Sequence, residues 1–298
     1  MIYEFSSGQE LCQICREQNI AISELMLRNE IEQSEQPREK ILEEMQDNLA
    51  VMRSSVKAGL NKKKIPRGIL CGGDALKLAA FAPKSNMGEP LAKIVAASMA
   101  VVEVNAAMGK IVAAPTAGAS GILPAVLIEC GGNQRGLDDN ALVRGLFTAG
   151  AIGCIIAEHA SIAGASGGCQ AETGTAAAMS AGALAELCGG DPETVLNAAS
   201  IAIKNCLGLV CDPVAGLVEC PCIKRNAIGA VNAVLSCDMA LAGITSLIPF
   251  DEVVEAMQGV SHLMSKELRE TAKGGLAATD TGRRIAEELI SGERQARR

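Results

Sequence analysis

The 298-residue chain is nearly empty of aromatic side chains: no Trp, one Tyr and four Phe, 2% in all. A core of stacked rings is therefore excluded, and burial must come from Ala, Leu, Ile, Val and Met. Residues this small let helices approach closely, so tight helix packing is expected. Alternating β-branched runs are also missing, apart from short pieces such as residues 110–113, which leaves little from which to build a sheet. Positive charge is in deficit, with 27 Lys and Arg against 34 Asp and Glu, a net charge of −7 and a pI near 5.1. A general nucleic-acid binder needs a basic face to neutralise phosphates, and this chain has none. The basic ERQARR at residues 293–298 reads as a solvated tail.

Long apolar runs are scarce as well. A spanning helix needs roughly 20 apolar residues; the stretch 145–157 stops at Glu158, and 226–250 is broken by Asp238 and Pro249. A membrane protein is not expected. The opening MIYEFSSGQELCQICREQ carries charges where a signal peptide has its apolar region, so a cytoplasmic chain is expected. No HExxH and no Ser/His/Asp order is present, and both histidines, His159 and His262, fall in helical stretches as ordinary surface or core residues.

What the chain does have is apolar residues at 49%, enough for a sizeable core, and twelve cysteines. Residues 1–64 are charged and helical in pattern. A break at 34–37 separates two helices, the second over 38–59, whose Ile41, Leu42, Met45, Leu49 and Met52 recur at helical spacing. This part reads as an N-terminal helical arm, and residues 65–298 as the main domain on which it packs. In the latter, helices are expected over 88–108, 123–130, 140–158, 171–188, 192–206, 226–241, 250–258 and 262–271. Asp191 followed by Pro192 is a helix start signal. The run 171–187 is apolar nearly all round and Ala-rich, so it reads as a buried central helix. The fold class expected is all-α.

Three cysteines stand in turns. Cys169 lies in GASGGCQAE, Cys211 in LGLVCDPVAG and Cys222 in CPCIKRNA. Twelve cysteines in a chain of this type suit a reducing compartment, where thiols serve as metal ligands or packing. Three thiolates without an evident fourth suggest an iron–sulfur cluster with one open iron, a position suited to a Lewis acid. The separations of 42 and 11 residues are not a contiguous ferredoxin run, so ligation and packing both stay open on spacing alone. Cys154, Cys188, Cys206 and Cys237 read as small core residues. Cys12 and Cys15 form a CxxC without a partner pair, and Cys220 is a spare ligand beside Cys222. A second motif, APTAGASGILP at 114–124, is a Gly-rich loop entering a helix, able to cradle an anion with its amides and the hydroxyls of Thr116 and Ser120. GGDALK at 72–77, Arg225 with Asn226, and RETAKGG at 269–275 read singly as caps or turns.

Together these pieces resemble the α chain, or catalytic domain, of the iron–sulfur-dependent bacterial L-serine dehydratases. The matching stretches are GGDALKL, NAAMGKIVAAPTAGASGILPAVL, ASIAGASGGCQAETGTA, LGLVCDPVAGLVECPCIKRNAIGAVNA and RETAKGGLA, spanning about residues 68–278. The resemblance implies an all-helical domain holding a [4Fe-4S] cluster on Cys169, Cys211 and Cys222. It implies dehydration of L-serine to pyruvate and ammonia, with the open iron assisting loss of hydroxide. The α-proton base of such enzymes lies in a Ser-Ser-His-Thr segment of a regulatory β part. That segment is missing here, so a separate β subunit is expected to supply it. Thr116, Ser120 and Asn226 are the expected substrate-carboxylate contacts. Single-chain relatives insert a C-terminal cysteine into the open position, whereas the ISGERQARR tail has none. Alternatives left open are a related cluster-dependent lyase such as a cysteine desulfidase, a pyridoxal-phosphate dehydratase, and a non-catalytic iron–sulfur helical module.

Overall fold

A computed structural model describes residues 3–296, with side chains described to residue 292. The predicted basic tail at 293–298 thus falls outside the described side chains, as do Met1 and Ile2. The elements are helical throughout: α1 Gly8–Gln18, α2 Ile22–Ser34, α3 Arg38–Gly59, α4 Asp74–Phe81, α5 Glu89–Ala106, α6 Ile122–Ala125, α7 Asp139–His159, α8 Gly164–Gly167, α9 Thr175–Leu187, α10 Pro192–Lys204, α11 Cys222–Leu241, α12 Phe250–Leu263 and α13 Asp280–Ala296. Wide π-helical turns extend α6 over Val126–Gln134 and precede α9 over Gln170–Gly174. Among the described residues there is no strand, only an isolated bridge between Cys211 and Arg269. The all-α reading holds.

The predicted central helix is α9. Every residue from Thr175 to Ala185 is buried, and α7, α10 and α11 pack around it. Its small side chains permit that crowding: a Cβ on Gly182 would fall 2.2 Å from Ile152 Cδ1, on α7. A Cβ on Gly59 would likewise fall 2.4 Å from the Ala100 carbonyl where α3 meets α5. Leu184, Ile152, Ile155, Ile156 and Ile203 are fully buried around α9, and burying each contributes about 1.5–3 kcal/mol. Helix α7 is long and apolar enough to span a membrane by length and composition, but it lies mostly buried against α9 and α2.

The N-terminal helices number three, not two. Asn19 adopts a left-handed conformation that ends α1 and turns the chain into α2. Leu11, Ile22, Leu25, Leu49 and Met52 join the same apolar core as α7 and α9. Two further departures concern the C-terminal half. The chain continues helically through Gly259, so α12 runs unbroken from Phe250 to Leu263. The expected helix over 262–271 does not form: Met264 is extended, and Glu270 and Ala272 have positive φ. That segment bonds instead to Cys211, which donates its N–H to the Leu268 carbonyl and accepts from Glu270 N–H.

GGDALK at 72–77 is also more than a turn. It opens α4, and the strap before it is pinned by two buried carboxylates. Glu103 accepts from the amides of Gly73, Asp74 and Ala75 at 2.7–3.2 Å. Glu219 accepts from those of Ile69, Leu70 and Cys71 at 2.8 Å. Each carboxylate thereby satisfies donors that would otherwise be orphaned at a helix start or in a loop. Asp191 caps α10 as expected, accepting from Thr194 N–H at 2.8 Å.

Candidate metal centre

Two of the three turn cysteines meet. Cys169 follows Gly168, whose φ of 75° needs a glycine, and a Cβ there would strike Met264 Sδ at 2.7 Å. The next residue, Gln170, is a buried strut. Its side chain donates to Met257 O and Ser261 Oγ and accepts from Gly208 N–H. This fixes the start of the π-helical turn against α12 and the 208–211 loop. Cys211 enters from that loop and is held by its backbone bonds to Leu268 and Glu270.

Between the two sulfurs stands Glu172, which the sequence reading did not single out. Its Oε2 lies 4.0 Å from Cys169 Sγ and 4.0 Å from Cys211 Sγ. The ligand atoms of the three residues all lie within 4.8 Å of one another. The signal was present in the sequence: Glu172 follows Cys169 by three, the spacing that puts two residues on one helical face. Glycines form the walls. A Cβ on Gly164 would come within 2.8 Å of Glu172 Oε2 and 2.9 Å of Cys211 Sγ. One on Gly118 would approach Glu172 Oε1 to 3.5 Å.

Cys222 is the first residue of α11 and is buried, but it is not part of that tight group. It lies near enough for the charges of Cys169 and Glu172 to act on it; burial, with those charges adding, pushes its thiol up to about 12. A hydrogen bond from the Cys211 thiol, with the Arg225 cation assisting, holds Cys169 below the usual thiol range. Cys169 in turn, together with burial, pushes Cys211 up. Burial also raises the Glu172 carboxyl, opposed by the hydroxyl of Thr116.

Arg225 organises the floor. Its Nη1 donates to Cys169 Sγ at 3.3 Å and to Val210 O at 2.7 Å, and its Nη2 donates to Asp212 Oδ1 at 2.7 Å. Asp212 Oδ2 accepts from Leu276 N–H at 2.7 Å. A Cβ on Gly275 would fall 2.3 Å from that oxygen, so RETAKGG ends in glycine because its backbone must close on Asp212.

The three expected carboxylate contacts differ in what they have free. Thr116 Oγ1 is buried and lies close to the Glu172 carboxylate, but completes no hydrogen bond in good geometry. Ser120 is fully buried, and its hydroxyl donates to Ala117 O within its own turn. Asn226 is saturated: its amide donates to Gly118 O and Cys222 O and accepts from Gly121 N–H. It pins the 118–121 loop to α11.

The remaining cysteines are mostly core. Cys12 and Cys15 are buried beneath α1, with thiols pushed up to about 12 by burial. Cys206 is buried against Asn232. Cys154, expected in the core, is exposed on α7, because the helix turns that position outward between Ile152 and Ile155. Cys220 lies near Cys71 and Lys224 and is not among the donors gathered at Cys169. Cys130, Cys188 and Cys237 gather near Arg135 at the far end of α9. Both histidines are engaged elsewhere: His159 Nε2 contacts Ser6 O at 2.6 Å, and His262 contacts Gln258.

The family model described as serine dehydratase alpha chain matches residues 17–277. The chain is 48% identical over 290 residues to the probable L-serine dehydratase, alpha chain, of Bacillus subtilis (strain 168), covering 97% of this chain and 96% of that one. It is 45% identical over 287 residues to the L-serine dehydratase, alpha chain, of Peptoniphilus asaccharolyticus, covering 96% and 98%. It is 39% identical over 286 residues to L-serine dehydratase 2 of Escherichia coli (strain K12), covering 92% of this chain and 62% of that longer protein.

Proposed function

The chain belongs to the serine dehydratase alpha chain family, and from that premise we propose that it converts L-serine to pyruvate and ammonia with a [4Fe-4S] cluster held by Cys169, Cys211 and Cys222. The observation that carries this reading is the convergence of Cys169, Cys211 and Glu172 beside a buried hydroxyl without a partner. Sulfur donors of this kind suit iron–sulfur chemistry, and twelve free cysteines suit the reducing cytoplasm.

When bound, the cluster supplies a Lewis-acidic iron that makes the serine hydroxyl a better leaving group. The chain's own residues orient and hold. Arg225 fixes Cys169 and, through Asp212, the segment ending at Leu276. Thr116 offers its free hydroxyl to the substrate carboxylate. Ser120 and Asn226 act on substrate indirectly, by holding the loop that carries Thr116. Neither histidine is placed at the cysteines, and in this reading the group that removes the α-proton comes from a separate β subunit. The alpha-chain naming of the relatives accords with such a partner.

The test is iron and acid-labile sulfide per chain after strictly anaerobic purification, followed by pyruvate formation from serine once a β chain is added. About four of each, with serine-dependent pyruvate, is expected. Folded protein that was never exposed to air and carries little iron overturns the reading.

A further inference from the structure

We propose that Glu172 is an oxygen ligand of the metal centre at rest, holding the iron position that the substrate later takes. The inference rests on the cysteine assignment of the preceding section and adds a fourth donor to it. Three thiolates leave one iron of a four-iron cluster without a protein ligand. The nearest remaining donor is the Glu172 carboxylate, 4.0 Å from each of two ligand sulfurs.

Other buried carboxylates in this protein show what a structural role looks like. Glu103 and Glu219 each accept three backbone N–H bonds, and Asp212 has Arg225 and Leu276 N–H. Glu172 has no such set. The one arginine nearby gives its bonds to Cys169, Val210 and Asp212, leaving Glu172 with the Gly164 amide and the Thr116 hydroxyl as neighbours. Its head lies instead against the two thiols, under walls of Gly164 and Gly118 that leave no room for a Cβ at Gly164. Cys220, the other candidate donor, is not among the donor atoms gathered at Cys169 and lies near enough to Cys71 and Lys224 to act on them. A carboxylate is also the right chemistry for a position that must open, because it is a harder ligand than thiolate and competes on equal terms with the substrate's own oxygens.

The experiment compares wild-type protein with Glu172→Gln, both loaded anaerobically with the Mössbauer-active iron isotope and titrated with L-serine. Wild-type protein is expected to show one iron distinct from the rest before serine is added. In E172Q that signal should shift or be lost, and serine should change the spectrum at several-fold lower concentration, since no side chain must be displaced. The same distinct-iron signal and the same serine dependence in both proteins overturn the proposal. A second measurement needs no variant: with carbon-13-labelled glutamate, the infrared difference spectrum on serine addition should contain a labelled carboxylate band as Glu172 is released. Its absence also overturns the proposal, including where E172Q fails to fold. Folded wild-type protein that binds no iron is a different outcome, and overturns the cluster assignment itself.

Discussion

Two groups of cysteines sit beside an arginine in this protein, one at each end of α9, and their electrostatics are alike. At one end Cys169 is held low by Cys211 and Arg225 while Cys211 is pushed up. At the other, a hydrogen bond from Cys237 with help from Arg135 brings Cys188 to about 7, while Cys237 is pushed up. The difference lies in how the chain presents them. Cys188 ends α9 and Cys237 lies inside α11, both packed on the apolar core. Cys169 and Cys211 come from loops held by Gln170, by Arg225 and by backbone bonds to the 268–270 segment. Among the described residues, only Cys169, Glu172 and Cys211 bring three donor atoms within 4.8 Å. A lowered thiol beside an arginine is therefore not what sets the candidate metal centre apart from the core group; converging loops and an oxygen donor are.

The sharpest way to break this comparison is to delete one thiol from each group. Cys211→Ala should strip iron to background after anaerobic loading, whereas Cys188→Ala should retain the wild-type content. Equal loss from both variants would mean that the core group also holds metal. The next effect in size concerns the arginines. Arg225 and Asp212 form an ion pair whose side chains are only 12% and 4% exposed. Arg225→Met leaves Asp212 buried without its charge partner, which costs about 3–5 kcal/mol. Arg135 is exposed, and Arg135→Met should cost no more than about 1 kcal/mol. Urea unfolding of both variants measures the gap, and a gap near zero would remove Arg225 as the floor of the site.

Much of the fold was legible because its signals are local. The Ala-rich run, the Asp-Pro start of α10 and the helical spacing of α3 depend only on near neighbours. What was missed depends on contacts distant in sequence. The helix expected over 262–271 has an acceptable pattern, but residues 268–270 find better backbone partners at Cys211, 57–59 positions away. Helix α4 begins where it does because Glu103 closes its first turn. The site shows the same division. Their turns single out Cys169 and Cys211, which meet, and Cys222, which stays outside their group; the Gly-rich loop singles out Thr116. Asn226 was noticed for its place beside Cys222, yet its amide is saturated by the 118–121 loop, a pairing more than 90 residues apart that no local pattern records. Glu172 had a local signal, the three-residue step from Cys169, hidden by the π-helical turn that replaces the expected start of α9.

The smallest effect tests whether a region whose logic is wholly local is also independent of the site. Asp191 caps α10 through Thr194 N–H, and the Thr194 hydrogen bonds hold its carboxyl below the usual range. A carboxyl with a depressed folded-state pKa contributes stability above its unfolded value of about 3.9, and that contribution is lost as pH falls through the folded value. Asp191→Ala should therefore cost about 1 kcal/mol at neutral pH, and the difference from wild type should shrink on acidification below about pH 4. Asp191→Asn keeps an uncharged cap, so it should follow wild type closely at neutral pH and lack the acid-dependent part. Both variants should bind wild-type amounts of iron, because α10 contributes none of the donors at the candidate metal centre. Iron loss in either variant would show that the core transmits strain from α10 through α9 to Cys169, and would erase the separation between the two ends of that helix.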